Sequence, residues 1–241
     1  MDEKAKVRFI VKQVVESYLK DRQQELMDNS ITVLLCYKSM NPSEILKAVT
    51  RLLEKYDATL LISKDWLPFS PHFLEKSYSI IEEMSEENLV KIVNRTSLIV
   101  FPVASYQLIS KLSLTIDDDI AVWLAIQYQL EGKPVIIAKN EIEPNIYQQI
   151  NAPHSVLGRI QTYIQQIQTD LVKWVPLHKM SSTIADQYHA YNDKKALILA
   201  KHIEKAHHDG LNNISFPRKN LLSPMAKDLA RQLNIEIKQK F

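Results

Sequence analysis

The stretch "ITVLLCYKSMNPSEILKAVTRLLEKYDATLLIS", residues 31–63, decides the fold. Its first seven residues form a continuous run of apolar and β-branched side chains, as expected of a strand that is buried on both faces. Residues 41–56 follow, with Pro42 in the first turn and apolar side chains at helical spacing, and residues 57–63 form a second apolar run. This order predicts two parallel strands joined by a crossover helix.

The same alternation of apolar runs and amphipathic segments continues to residue 138. We predict further strands at 97–103 and 134–138, and a loop at 65–73, which contains two prolines. The predicted helices are at 74–94, 104–112, 117–132 and 144–170. The expected fold class is therefore α/β, a Rossmann-like parallel sheet with crossover helices and a small C-terminal α/β unit.

The chain is expected to divide into four segments. Residues 1–28 predict an amphipathic helix and a linker, and residues 29–174 hold the α/β domain. Residues 175–195 have no clear period and are interpreted as a connector. Residues 196–241 form the C-terminal unit, in which a helix ends near Gly210 and a strand, a helix and a last strand follow.

The composition is that of a folded globular protein. The chain has 241 residues, of which 46% are hydrophobic and 24% are charged. A single cysteine, Cys36, excludes an internal disulfide and favours a reducing compartment. No apolar run is long enough to span a membrane, and the charged N-terminus is unlike a signal peptide. We expect a cytoplasmic protein with no membrane partner.

Glycine content and charge exclude some functions. The chain has three glycines and no glycine-rich phosphate-binding motif, which disfavours a nucleotide-dependent enzyme. Residues 171–241 hold 12 Lys and Arg against 6 Asp and Glu. That excess leaves a nucleic-acid partner open, but the basic residues are scattered and a solvated surface is favoured.

The polar clusters predict neither a catalytic residue nor a metal site. The run Asp117–Asp119 is typical of a helix N-terminus, where carboxylates accept hydrogen bonds from free amides, although a metal or acid–base site is the alternative. The spacing of His202, His207 and His208 does not fit a zinc site. Cys36 is interpreted as a buried core thiol.

Residues 98–138 resemble the flavoprotein fold of the cysteine-decarboxylase type. That family carries a serine, an asparagine, a lysine and an aspartate along this stretch, where the present chain has Ser105, Gln107, Lys111 and Asp118. The resemblance implies that these four residues contact FMN if a flavin binds.

The same alignment contains departures from that family. The glycine- and serine-rich turn after the first strand is replaced by "CYKSMNPSE", residues 36–44. The family's catalytic histidine falls near Leu89, which cannot transfer a proton. The resemblance therefore implies the fold over residues 31–138 more directly than it implies decarboxylation.

The stretch "NISFPRKNLLSPMAKDLARQLNIEI", residues 213–237, is similar to the C-terminal motif of the propanediol-utilisation microcompartment protein M family. Ser223, Pro224, Ala226 and Asp228 match or nearly match this motif. Members of that family also begin with a short amphipathic helix. The resemblance implies that Ser223, Pro224 and Asp228 bind a partner protein.

The N-terminal segment supplies the second part of that resemblance. Its apolar side chains recur at spacings of three and four and predict one helix face, formed by Val7, Ile10, Val11, Val14, Val15 and Tyr18. By analogy with that family, this face would dock on shell or cargo proteins of the microcompartment.

Two hypotheses follow. The leading one is a non-catalytic structural or assembly protein of a bacterial metabolic microcompartment of the propanediol or ethanolamine type, without a cofactor. The alternative is an FMN-binding protein or enzyme of the cysteine-decarboxylase-type flavoprotein fold. A homo-oligomer is compatible with both.

Overall fold

The structure of the chain is a computed structural model that describes residues 30–73, 77–193, 195–217 and 220–240. It divides into two compact units, with the division after Tyr191. The predicted N-terminal helix and its proposed docking residues lie outside the described residues. The segment boundaries predicted from the sequence stay a prediction.

The main unit contains a six-stranded, entirely parallel sheet in the order β3-β2-β1-β4-β5-β6. This order places β1 and β4 next to each other at the centre of the sheet. The strands are β1 (Ser30–Leu35), β2 (Asp57–Ile62), β3 (Tyr78–Ile80), β4 (Leu98–Phe101), β5 (Val135–Ala138) and β6 (Val172–Val175).

Seven described helices and three short 3-10 segments connect these strands or follow them. The helices are α1 (Pro42–Lys55), α2 (Glu86–Arg95), α3 (Tyr106–Ser113), α4 (Ile120–Leu130), α5 (Ile146–Asn151), α6 (His154–Thr169) and α7 (Met180–Asp193). The 3-10 segments are Lys64–Phe73, Ile81–Glu83 and Leu177–Lys179.

Alternating side chains of the central strand bind the two helical layers to the sheet. Val33 and Leu35 belong to the apolar cluster that contains the buried stripe of α1, whereas Leu34 belongs to the cluster that contains α3 and α4. Both faces of β1 are buried, which explains its continuous apolar sequence.

The structure confirms the predicted fold class and corrects three elements. Residues 74–94 are not one helix, because β3 lies at 78–80 and α2 begins at Glu86. The segment 65–73 is a 3-10 helix and not an irregular loop. Strand β6 was missed, because it is a four-residue edge strand with a lysine in it.

Residues 175–195, interpreted from the sequence as a connector, contain α7. The sequence of this helix is mostly polar and does not indicate which side chains are buried. Met180 and Ile184 are both buried in the apolar cluster beside α1. A helix that buries only a few side chains shows only a weak hydrophobic periodicity in its sequence.

The C-terminal unit is a small α/β assembly with its own apolar cluster. Its elements are β7 (Leu197–Ile198), α8 (Ala200–His208), β8 (Asn213–Pro217), β9 (Leu221–Leu222), α9 (Pro224–Gln232) and β10 (Glu236–Lys240). The pairs β8–β10 and β7–β9 are parallel. Ala226 and Ala230 of α9 pack with Ile203 and Ala206 of α8.

Candidate functional site

The carboxyl ends of β1 and β4 mark a switch point in the sheet. The strands are parallel neighbours, and the chain leaves them toward opposite faces, because α1 packs in one core cluster and α3 packs in the other. Open α/β sheets bind ligands in the crevice that forms at such a point. The loops at 36–41 and 102–105 border this crevice, which makes it the candidate site.

Ser105 lies at the start of α3, directly after the loop from β4. It is the N-cap residue, and its hydroxyl oxygen accepts a hydrogen bond from the Leu108 amide at 3.1 Å. Pro102 follows the last residue of β4 and cannot donate to a sheet ladder, so the strand ends there. The Ser105 hydroxyl also lies close enough to the Tyr37 hydroxyl to lower the pKa of that phenol by hydrogen bonding.

Lys111 and Asp118 are brought together at the far end of α3. The Lys111 ammonium lies 2.6 Å from an Asp118 carboxylate oxygen, and the lysine side chain is 23% exposed against 62% for the aspartate. Thr115 has a φ of 56° in the connection between α3 and α4, where the chain reverses.

Gln107 points toward the start of α4. Its side-chain nitrogen donates to one Asp119 oxygen at 3.0 Å, and the other Asp119 oxygen accepts from the Ala121 amide at 2.8 Å. The interpretation of the acidic run as a helix N-terminus is confirmed for Asp119. The binding role of Ser105, Gln107, Lys111 and Asp118 stays a prediction.

Tyr37 was missed in the sequence analysis. Its hydroxyl is buried and has no hydrogen-bond partner of acceptable geometry among the described residues, although the side chains of Cys36 and Ser105 lie close enough to affect its pKa. Burial raises the pKa of Tyr37 well above its usual range, and the nearby Cys36 and Asp119 raise it further. The phenol is therefore a protonated donor at neutral pH.

Cys36 is at the end of β1 and not deep in the core. The residue is half-buried, and burial together with the Asp119 charge raises the pKa of its thiol well above the usual range. The thiol is therefore protonated at neutral pH and is a poor nucleophile.

Ser63 supplies a second buried hydroxyl for which the described residues offer no hydrogen-bond partner. The residue is 6% exposed, follows β2, and its amide donates to the Leu35 carbonyl at 2.8 Å. The buried Trp66 fixes the same edge, because its ring nitrogen donates to the Tyr37 carbonyl at 2.9 Å. A sequence signal existed for Ser63, since it directly follows a buried strand, but a lone serine is too common to be singled out.

The carboxyl edge of the sheet is rich in carboxylates, and several of its lysines already have a partner. Glu82 accepts a hydrogen bond from the Lys64 amide at 3.2 Å, and its charge raises the pKa of Cys36. The paired lysines of these loops are Lys38 with Asp65 at 3.8 Å, Lys64 with Glu83 at 3.6 Å, and Lys139 with Glu143 at 2.7 Å. Because these lysines are already paired with carboxylates, the groups at this edge that could bind an anionic ligand are mostly neutral hydrogen-bond donors.

A cavity of about 470 Å³ lies between α3, α5 and α6. Its wall is mostly apolar and includes Ile109, Val156 and Tyr163. Gln107 also lines it, and the same side chain bonds to Asp119. Gln107, one of the predicted flavin residues, therefore lies in the wall of the cavity and also contacts the start of α4.

The residues predicted to bind a partner at the C-terminus have local roles. Ser223 accepts a hydrogen bond from the Ala226 amide at 3.2 Å and Pro224 occupies the first turn, so both start α9. Asp228 lies 4.0 Å from Arg231 in an exposed pair. Among the described residues, no group of His, Cys, Asp or Glu could hold a metal ion, and none of the described helices is long and apolar enough to cross a membrane.

Comparisons by sequence return nothing: no protein-family model matches the chain, and no curated protein matches it. The microcompartment resemblance therefore has no support beyond the residues that suggested it.

Comparison with solved structures returns proteins of one fold. DmrB from Burkholderia xenovorans, described as a cubic protein cage for redox transfer, has a TM-score of 0.54 and 13% identity, and the match covers 68% of this chain and 98% of that one. A PPC decarboxylase mutant has a TM-score of 0.51 and 11% identity, covering 67% and 99%. TvaF, an FMN-dependent cysteine decarboxylase from thioviridamide biosynthesis, has a TM-score of 0.50 and 13% identity, covering 67% and 98%.

These matches overturn the leading hypothesis of a non-catalytic microcompartment protein. The structures that share the fold include FMN-dependent enzymes and DmrB, which has also been solved in complex with FMN. The expectation that a cofactor is absent has no support either. At these identities the likeness shows the fold alone, and the chain has the α/β fold of the flavin-dependent decarboxylases.

Proposed function

We propose that the main unit is a flavin-binding protein or enzyme that takes FMN in the crevice between the carboxyl ends of β1 and β4. The observation that carries the proposal is the switch point itself, with uncommitted hydroxyls at its edge. Solved proteins of the same fold include DmrB in complex with FMN, at a TM-score of 0.52 and 12% identity.

The residues at this edge fit a flavin phosphate or ring edge in their hydrogen-bonding chemistry. Tyr37 and Ser63 carry buried hydroxyls with no partner of acceptable geometry among the described residues, and the Ser105 hydroxyl lies beside that of Tyr37. Lys111 is the cation on α3, shared with Asp118. These groups would hold the ligand, and Gln107 would orient it through its free amide oxygen.

A bound flavin supplies electron-transfer chemistry that the side chains lack. The phenol of Tyr37 and the thiol of Cys36, next to each other in the chain, are protonated groups at this edge, because burial raises the pKa of both. Leu89 lies in α2, is 4% exposed and packs in the core. It offers no proton at the position where the decarboxylase family has a histidine, so the proposal does not include decarboxylation by that route.

The proposal is tested by titrating the purified full chain with FMN and following flavin fluorescence. We expect saturable binding with one FMN per chain, weakened at least about tenfold by Ser105→Gly combined with Tyr37→Phe, since each lost hydrogen bond weakens binding by roughly 1 kcal/mol. The matched control is Ser182→Gly with Tyr56→Phe, which removes the same groups in α7 and after the end of α1, away from the crevice. An FMN fluorescence that does not change when the wild-type chain is present would reject the proposal.

Self-association is a second part of the proposal. Helix α5 has no buried residue, and its apolar side chains Ile146, Tyr147 and Ile150 are exposed, Tyr147 by 74%. Exposed apolar patches of this kind are typical of protein interfaces. Light scattering of wild-type protein and of Tyr147→Ser at several concentrations tests this, and a monomer at all concentrations would contradict it.

A further inference from the structure

A contact between two loops closes one side of the proposed flavin crevice. The Ser39 hydroxyl, in the loop after β1, donates to one carboxylate oxygen of Glu141, in the loop after β5, and the Met40 amide lies 3.5 Å from the other oxygen. Strand β4 lies between β1 and β5 in the sheet. The contact therefore spans the carboxyl end of β4, in front of the crevice.

Glu141 is held there by neutral donors alone. No Lys or Arg among the described residues forms an ion pair with it, although Lys139 in the same loop pairs with Glu143 at 2.7 Å. The Ser39 oxygen also accepts from the Asn41 amide at 3.0 Å, and Asn41 caps α1, so the donors belong to the entry of a 14-residue helix. A carboxylate bound only by a hydroxyl and a distant amide is displaceable, because each such bond contributes modestly.

A phosphate group accepts hydrogen bonds from the same kinds of donor as a carboxylate. Loops that follow the first strand of an α/β sheet and lead into a helix are where such folds hold phosphate groups, since amides and the helix dipole favour an anion there. A carboxylate of the chain in that place competes with an incoming phosphate through both charge and space.

Two further hydroxyls at this edge indicate that a ligand, not the carboxylate alone, completes the site. Ser63 is 6% exposed, and neither its hydroxyl nor the buried Tyr37 hydroxyl has a hydrogen-bond partner of acceptable geometry in the part of the chain that the structure describes. Buried polar groups in folded proteins nearly always have a hydrogen-bond partner. Two buried hydroxyls that lack one at the same edge of the sheet therefore favour a ligand that supplies hydrogen-bond acceptors.

We propose that Glu141 is a specificity-determining residue whose carboxylate stands in the place of the ligand's phosphate, so that FMN must displace it and riboflavin need not. The inference rests on the proposed flavin function and assigns the phosphate end of that ligand. It predicts that removing the charge of Glu141 improves FMN binding and leaves riboflavin binding unchanged.

The test is a two-by-two titration of the full chain with FMN and riboflavin, in wild type and in Glu141→Gln. Glutamine keeps an oxygen that accepts from Ser39, so the loop contact survives and the charge alone is removed. We expect FMN affinity to rise about tenfold, as for removal of one like charge near a phosphate, and riboflavin affinity to change by less than about twofold. Glu54→Gln removes the same charge at the other end of α1, where Glu54 is exposed, and is the control, with both affinities within about twofold of wild type.

The outcomes separate this inference from the function on which it rests. Unchanged FMN affinity in Glu141→Gln, with FMN bound by wild type, overturns the inference and leaves flavin binding intact. An equal gain for FMN and riboflavin also overturns it, because the phosphate would then not be what the carboxylate opposes. Binding of neither ligand to any variant removes the flavin proposal and this inference together.

Discussion

The Lys111 ammonium and the Asp118 carboxylate lie 2.6 Å apart at the end of α3. The cation that the α3 helix offers to the proposed site is thus partly neutralised before a ligand arrives. Because both side chains reach solvent, the pair adds less than about 1 kcal/mol to folding stability. Variants at either position therefore report on binding and not on unfolding.

Replacing Lys111 with methionine is expected to weaken FMN binding about tenfold. The charge-assisted hydrogen bond to an anionic ligand is lost, while the apolar stem of the side chain is kept. Fluorescence titration gives the affinity, and chemical unfolding checks that stability changes by less than about 1 kcal/mol. The exposed Lys91→Met is the matched control. An unchanged FMN affinity in Lys111→Met would remove this lysine from the site.

The buried hydroxyl of Tyr128 forms a hydrogen-bonded network with two buried threonines. It lies 2.7 Å from Thr32 Oγ1 and also bonds to Thr96, and the side chain is fully buried. We expect Tyr128→Phe to lower the free energy of unfolding by about 1–2 kcal/mol, because two buried threonine hydroxyls lose a partner. Urea unfolding measures it, with the exposed Tyr147→Phe as control at less than about 0.5 kcal/mol. Equal stability of the two variants would contradict the role of this network.

The burial of Lys133 is expected to make the free energy of unfolding depend on pH. It is 7% exposed, its ammonium donates to the Val93 carbonyl and lies 6.0 Å from the centre of the Tyr128 ring. Burial lowers its pKa in the folded state, and Glu131 opposes this in part. The folded chain therefore binds fewer protons than the unfolded chain between the lowered pKa and the usual lysine value of about 10.4.

Stability from this residue accordingly rises with pH across that window and is lowest below it. The measurement is urea unfolding of wild type and Lys133→Met from neutral pH to about pH 10. We expect the stability of wild type relative to the variant to increase with pH, since other titrating groups cancel in the difference. A difference that stays flat or falls would show that the lysine is not desolvated in the fold.

Ala230 tests the packing of the C-terminal unit. It is 2% exposed on α9 and contacts the apolar cluster of that unit together with Ala226. Ala230→Phe should destabilise this unit by roughly 1–3 kcal/mol, because the cluster has no room for a ring. Hydrogen exchange of amides in residues 195–217 and 220–240 of the full chain measures it, with the exposed Met225→Phe as control. Equal protection in both variants would show that this face is assigned wrongly.

The central sheet could be predicted from sequence because its strands are buried on both faces and separated by amphipathic helices. Strand β3 could not be predicted, because a strand of three residues, Tyr78–Ile80, is too short to show a hydrophobic periodicity. Strand β6 could not be predicted either, because it is a short edge strand that contains a lysine. Ser105 was identified by resemblance, whereas the switch point became visible only in the order of the strands. Tyr37, Ser63 and Glu141 were not found, because their roles depend on contacts between loops that are far apart in sequence.

The error about function has a physical cause as well. Ser223 and Pro224 form an ordinary helix start, which any capped helix can share, so the motif carried little information about a partner. The absence of glycine-rich phosphate loops does not by itself exclude a ligand that carries a phosphate. At the carboxyl edge of this sheet, hydroxyl groups such as those of Tyr37 and Ser63 can supply donors that glycine loops supply elsewhere.

A crystal structure of the full chain grown with FMN tests the central claim most directly. The account predicts the flavin at the carboxyl ends of β1 and β4, with a hydrogen bond to at least one of the hydroxyls of Tyr37, Ser63 and Ser105. It also predicts that the Glu141 carboxylate has moved away from Ser39. A flavin bound instead in the cavity between α3, α5 and α6, with the switch point empty, would contradict the account.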